Sequence, residues 1–342
     1  MAANFHLSVL CDILFGRFLH FYLVKNKRIL SKKVIIWFLD AGVESLLAVS
    51  LGSLRLNAPM FWSQSLKVII DCGLSRPFRF FLRRLEPEGV CVVLAPQQLA
   101  PQLVEEKAPS PGIAAMYQRI NVSTLVTSLL DIGAGDHIIS CDPDTVFLKE
   151  VDRFPFPSSG TDMTIMPGYS ISRGREVPTP WLRQATLMYP DLDDADLVYV
   201  GRQLRLSAEE LQSITSYNAG IFGFCAGQDF SGPWRDAYRA IRKTTDIKGR
   251  SVFRAFMAEQ NALSLCIHRG QIRVSELPRR FNQFPPIKPL PLVLPADTII
   301  LHFVNFQMNH RNGTYCLWYS IRDQLEALGF LPPDRSALDV NS

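Results

Sequence analysis

Residues 137–152 read HIISCDPDTVFLKEVD. An apolar run, HIISC, is followed by Asp142-Pro143-Asp144 and then by a second apolar run, VFL. The first run, with Asp136 before it, predicts a β-strand over 136–142, with the two aspartates at its carboxyl end. In open α/β sheets ligands bind outside the carboxyl ends of the strands. Two carboxylates one residue apart can hold one hard cation, which keeps several waters and also takes substrate phosphates. Asp and Pro are also turn residues, so a plain turn is the competing reading. The position between two apolar runs favours the metal.

Outward from this stretch the chain alternates short apolar runs with helical patterns, as parallel α/β folds do. VIIWFLDAG (34–42) reads as a first strand ending in Asp40. VESLLAVSLGSL (43–54) has helical apolar spacing. LKVIIDCGLS (66–75) reads as a second strand ending at Asp71, and RPFRFFLRRL (76–85) as a basic, aromatic helix for which Asp71 and Ser75 serve as caps. VCVVLAP (90–96) is a third strand, followed by a Pro/Gln/Glu-rich loop and a long helix over about 113–131. Downstream, DMTIMP (162–167) and YNAGIFGF (217–224) read as strands. SGPWRDAYRAIRK and SVFRAFMAEQNALSLCIH (251–268) read as helical. TIILHFV (298–304) is a late strand carrying His302, and LWYSIRDQLEAL is a closing helix. The irregular segment 168–213, with the apolar and basic run WLRQATLMYP, is where recognition of an acceptor is expected, because loops set specificity on a fixed scaffold. The domain reading is an apolar and basic N-terminal helical segment over 1–32, one α/β domain over 33–322 and a tail over 323–342.

Composition fits that reading. Of 342 residues, 47% are hydrophobic and 20% charged, and 22 are Phe, enough for a large core. The net charge of +4, with a pI near 8.7, does not mark a nucleic-acid binder. Seven cysteines with no CxxC spacing, mostly inside apolar runs, predict buried free thiols in a reducing, cytoplasmic compartment rather than a disulfide scaffold or a zinc site. The stretch FHLSVLCDILFGRFLHFYLV (5–24) is strongly apolar, but Asp12 and Arg17 in its middle argue against a membrane span. It reads as an amphipathic helix that either packs on the domain or lies peripherally on a membrane surface. Of the two sequons, Asn121-Val-Ser falls in a helix expected to be buried.

Four blocks carry a resemblance. AAMYQRI…LLDIGAGDHIISCDPDTVFLKEVD, YNAGIFGF, AEQNAL and LHFVN resemble, in order and spacing, the signature segments of glycosyltransferase family 8 and related GT-A enzymes that use nucleotide-diphospho-sugars. They extend over roughly 33–320. The resemblance implies a GT-A fold: a mixed, mostly parallel Rossmann-like sheet flanked by helices. It implies a hexosyltransferase that moves a sugar from a nucleotide-sugar, with UDP-sugar the default, to a glycan, glycolipid or protein acceptor, with retention at the anomeric carbon.

The same resemblance implies roles. Asp142 and Asp144 hold Mn²⁺ or Mg²⁺, with His302 as third ligand. Arg119 contacts the donor and Asp40 lies near the nucleotide base. Asn218, Ala219 and Gly220 line the sugar side, and Glu259 and Gln260 sit beneath the anomeric carbon, where Glu259 is the candidate base should the enzyme invert instead. The sequence departs from the family at Asn305, where Gly is expected, and at Met308, where a diphosphate-supporting Lys is expected; Arg311 is the nearest cation to stand in. Two other readings stay open on the sequence. ISCDPDTV also fits the nucleophile motif of haloacid-dehalogenase-like phosphatases, with Asp142 attacking phosphorus. A GT-A-like protein that binds without catalysing is the other.

Overall fold

A computed structural model of the chain describes residues 33–95, 118–128, 132–133, 135–172, 175–178, 194–244, 246–247, 250–251, 255–285, 294–303, 314–327 and 329. The N-terminal stretch, the Pro/Gln/Glu-rich loop, residues 179–193, the sequon at Asn312 and the positions Asn305, Met308 and Arg311 lie outside these residues, as do residues 330–342.

A seven-stranded mixed sheet organises the chain. Strand β1 (Lys33–Leu39) pairs in parallel with β2 (Ser65–Asp71), and β2 with β3 (Val90–Leu94). On its other side β1 pairs in parallel with β4 (His137–Cys141), after which the chain leaves the sheet through Asp142-Pro143-Asp144 into the short β5 (Thr145–Phe147). Next come β6 (Met163–Pro167) and β7 (Tyr217–Cys225); β7 runs antiparallel to both β4 and β6. The edge strand β8 (Val274–Glu276) lies parallel to β6, giving the order β8-β6-β7-β4-β1-β2-β3. Strand β9 (Ile300–His302) pairs with β5 as a separate antiparallel ribbon.

The central strands are continuous apolar runs because both faces of the sheet are covered. In KVIIWFL the alternate residues Val34, Ile36 and Phe38 enter one core cluster, and Ile35, Trp37 and Leu39 enter the other. Each such side chain removed from water contributes about 1.5–3 kcal/mol. On one face pack α1 (Glu44–Asn57), α2 (Pro59–Gln64) and α3 (Arg76–Arg83); on the other packs α4 (Val122–Ser128). Helices α5 (Asp194–Leu204) and α6 (Ala208–Ser213) follow, the latter opened by a capping box between Ser207 and Glu210. Helices α7 (Ser231–Thr244) and α8 (Ala255–His268) pack on the α4 face, and α9 (Thr314–Ala327) on the α1 face. Helix α9 continues past residue 322, where the sequence reading closes the domain. Its Leu325 is buried against Gly52 of α1, where a Cβ would stand 2.5 Å from Leu325 Cδ1. No helix among the described residues is long and apolar enough to cross a membrane.

Two expectations hold, one on each face of the sheet. Asp71 Oδ1 accepts from the N–H groups of Gly73 and Leu74, and Ser75 Oγ accepts from Phe78 N, so both residues cap the turn into α3. Asn121 is fully buried and accepts from Arg235 Nη1 at 3.0 Å, which closes that sequon to modification in the folded chain. The described cysteines, Cys72, Cys91, Cys141, Cys225 and Cys266, are free thiols, and burial pushes Cys91 up to about 12.

Candidate functional site

Two crossings of the fold bring the sequence-marked residues together. First, β7 enters beside the carboxyl end of β4 because the two strands are antiparallel, and Asp142 N donates to Gly220 O at 2.6 Å. A register shift between Ile165 and Met166 lets β6 follow β7 across this point, pairing Met166 with Asn218. Second, β9 returns along β5, so that His302 faces Thr145 and Phe303 N donates to Asp144 O. Helix α1 anchors β5 from below: Ser50 Oγ bonds Thr145 Oγ1 at 3.0 Å, and Phe147 N donates to Ser53 Oγ.

The result is a compact cluster. Asp142, Asp144 and His302 each offer a ligand atom, and these atoms lie within 4.8 Å of one another. His302 Nε2 is 3.2 Å from Asp144 Oδ1 and 3.7 Å from Asp142 Oδ2. Gly220 is required here for space. A Cβ on it would stand 2.0 Å from His302 Cε1, so the imidazole lies directly on the β7 backbone.

Behind the cluster Arg119 forms a two-pronged ion pair with Glu259, Nε and Nη2 each 3.0 Å from a carboxylate oxygen, and Nη1 donates to Asp142 Oδ1. Arg119 and Glu259 are 4% and 1% exposed. Glu259 is fixed further through its carbonyl, which accepts from Trp234 Nε1 at 2.8 Å. Burial pushes the Asp142 carboxyl up to about 6, against the opposing pull of Arg119. Burial likewise raises Glu259, with Arg119 again opposing. Burial alone would lower the His302 imidazole, but the Asp144 carboxylate, with Asp142 behind it, turns the net shift upward.

The charges identify what the cluster suits. Asp142, Asp144 and Glu259 face one guanidinium, so with a neutral imidazole the group carries a net charge of −2. Buried charge of one sign is costly unless it is paired or coordinates a metal. One divalent cation would cancel it, and two carboxylates with an imidazole match the donor preferences of Mn²⁺ and of Mg²⁺. The residues present therefore fit the metal that the sequence implies.

The remaining residues divide. Gln260 Oε1 accepts from Ala219 N at 3.3 Å and lies 3.5 Å from Asn218 Nδ2, which ties α8 to the Asn218-Ala219-Gly220 start of β7. Asp40 ends β1 one strand away from Asp142, and its carboxylate accepts from Gly42 N at 3.0 Å. It lies at the same carboxyl end of the sheet, one strand from the cluster. One participant carries no sequence signal of its own: Asn282, fully buried, whose Oδ1 lies 3.0 Å from His302 Nδ1 and whose Nδ2 donates to Asn218 Oδ1 at 2.9 Å. It sits in the polar stretch RRFNQF, and only the pairing of distant segments gives it a partner.

No protein-family model and no curated protein sequence matches the chain. Solved structures match it in architecture. The galactosyltransferase LgtC, in complex with donor and acceptor sugar analogues, is 13% identical, with a TM-score of 0.50 over 87% of this chain and 100% of that one. The bifunctional glycosyltransferase WbbM is 13% identical, with a TM-score of 0.50 over 84% of this chain and 49% of that one, so the chain spans about half of WbbM's length. The mixed, mostly parallel sheet, the flanking helices and these likenesses agree: the chain has the GT-A glycosyltransferase fold.

Proposed function

We propose that the chain is a metal-dependent glycosyltransferase that moves a hexose from a nucleotide-diphospho-sugar, with UDP as the favoured nucleotide, to a hydroxyl of a glycan, glycolipid or protein. One observation carries the proposal: Asp142, Asp144 and His302 converge at the carboxyl end of β4 within a GT-A fold. Asp142, Asp144 and His302 would hold Mn²⁺ or Mg²⁺, which supplies charge neutralisation to the diphosphate as it leaves. In the transfer the bond from the anomeric carbon to the diphosphate oxygen breaks and a bond to the acceptor hydroxyl oxygen forms. The hydroxyl proton departs with the diphosphate.

The protein's own groups divide the remaining work. Arg119, held by Glu259, sits beside Asp142 and offers its positive charge to the donor. Gln260 Oε1 is occupied by backbone and Asn218 donors, so its Nε2 is the group it presents to a ligand. Both oxygens of Glu259 are bonded to Arg119, which favours an orienting role over that of a general base and supports retention over inversion. The galactosyltransferase among the structural neighbours supports a hexose donor. In haloacid-dehalogenase-like phosphatases the Asp-x-Asp normally ends the domain's first strand; here it ends the fourth and lies against the antiparallel β7, which favours the transferase over that reading.

The test is incubation of the protein with UDP- and GDP-hexoses and Mn²⁺, with release of free nucleotide measured with and without chelator. Release of one nucleotide that stops on chelation supports the proposal. Binding without turnover of any donor would move the assignment to a GT-A protein that binds without catalysing.

A further inference from the structure

Asn282 sits between His302 and Asn218 at the start of β7, and the hydrogen-bond directions around it can be worked out in order. Gly220 N donates to the side-chain atom of Asn218 at 3.0 Å. A backbone N–H can only donate, so that atom is the amide oxygen. The Asn282 atom 2.9 Å from the same oxygen must then be its NH₂ group. Asn282 therefore turns its own oxygen to His302 Nδ1, 3.0 Å away, and an amide oxygen can only accept. Asn282 thereby favours the neutral imidazole with its proton on Nδ1, against the Asp144 carboxylate 3.2 Å from Nε2. Nε2, the nitrogen that faces Asp142 and Asp144, keeps its lone pair.

The backbone beside Asn282 reinforces the arrangement. Gln283 N donates to Ile300 O at 3.0 Å, and His302 N donates to Gln283 O at 2.9 Å, so the residue after Asn282 sets the register of the strand that carries His302. The Phe284 ring lies 5.3 Å from the imidazole. Asn282 and His302 are 0% and 2% exposed, which denies water easy access as a substitute partner.

We infer that Asn282 is a positioning residue of the metal site: by fixing the His302 tautomer it presents Nε2 as a ligand, and through Asn218 it joins that ligand to the start of β7. The inference rests on the metal-site reading above and concerns how that site is built. Partners that orient a ligating imidazole from behind are worth roughly 10–100-fold in metal affinity.

The experiment compares wild type, Asn282→Leu and Asn282→Asp by Mn²⁺ titration calorimetry and by ¹⁵N NMR of His302 in the metal-free protein at alkaline pH. Wild type shows the proton on Nδ1. Asn282→Leu loses that signature and binds Mn²⁺ roughly 10–100-fold more weakly. Asn282→Asp keeps an acceptor for Nδ1–H, retains the signature and binds Mn²⁺ within a few-fold of wild type. Should Asn282→Leu not fold, Asn282→Ser carries the same comparison. A folded Leu or Ser variant with the Nδ1 proton and wild-type Mn²⁺ affinity overturns the inference. So does a wild-type spectrum with the proton on Nε2. The NMR readout needs no metal, so failure of the metal reading and failure of this inference are seen separately.

Discussion

Gly220→Ala tests the packing that builds the site. The added methyl carbon would stand 2.0 Å from His302 Cε1, 2.6 Å from Nδ1 and 2.9 Å from Nε2. The ring cannot yield cheaply, because it is buried and bonded to Asn282, and Gly220 cannot, because its carbonyl accepts from Asp142 N. Overpacking of this kind costs about 1–3 kcal/mol, and loss of the Asn282 hydrogen bond adds about 1 kcal/mol. Thermal melting should fall by on the order of 5 °C. Calorimetric Mn²⁺ affinity should fall at least about tenfold, some 1.4 kcal/mol, because one ligand is displaced. The double variant Gly220→Ala/His302→Ala relieves the clash. Its stability should exceed the sum of the single effects by about 1 kcal/mol, while Mn²⁺ affinity stays low. A Gly220→Ala protein that melts and binds Mn²⁺ as wild type does would refute the placement of His302 on β7.

Other substitutions separate charge, pairing and packing. Asp142→Asn should abolish turnover yet stabilise the metal-free protein near neutral pH. A carboxyl raised from 3.8 to about 6 favours folding below 3.8 and loses that contribution as pH rises through about 6, a difference approaching about 3 kcal/mol. Denaturant melts across this pH range should show the slope in wild type and a shallower one in the variant. The same proton competes with the metal, so Mn²⁺ affinity measured by calorimetry should weaken as pH falls below about 6. Glu259→Gln takes the charged partner from a buried guanidinium and should cost about 3 kcal/mol or more in chemical denaturation. Lys67→Met is the control on the opposite side of the fold. The buried ammonium donates to the carbonyls of Trp62, Ser65 and Glu88, so its loss should destabilise by about 3 kcal/mol with Mn²⁺ affinity unchanged.

The central sheet is legible in the sequence because buried parallel strands write themselves as unbroken apolar runs: VIIWFL, LKVIID and VCVVL appear in the structure as β1, β2 and β3, with small changes at their ends. Asp142 and Asp144 are legible for a similar reason, since they follow such a run, whereas His302 interrupts one and is marked as a ligand only by the resemblance. The short strands β5 and β8 and the helix α2 are not, being three to six residues long and held by tertiary partners rather than by local pattern. Lys67 inside an apolar strand gives no hint of its three carbonyl acceptors. Glu259 and Gln260 stand out as polar residues in an apolar helix, but the sequence cannot show that Arg119, 140 positions earlier, claims both oxygens of Glu259. Asn282 is the furthest from view, because its role exists only once β7, β9 and the 279–283 segment meet.

The most direct test of the account is the melting temperature of wild type and Asp144→Asn with UDP, with GDP, with Mn²⁺, and with each nucleotide and Mn²⁺ together. A ligand that binds only the folded protein raises its melting point by mass action. The account predicts a large rise in wild type only when one nucleotide and Mn²⁺ are both present, and none in Asp144→Asn. A cooperative melt in wild type that no nucleotide–metal pair moves, or an equal rise in Asp144→Asn, would contradict it.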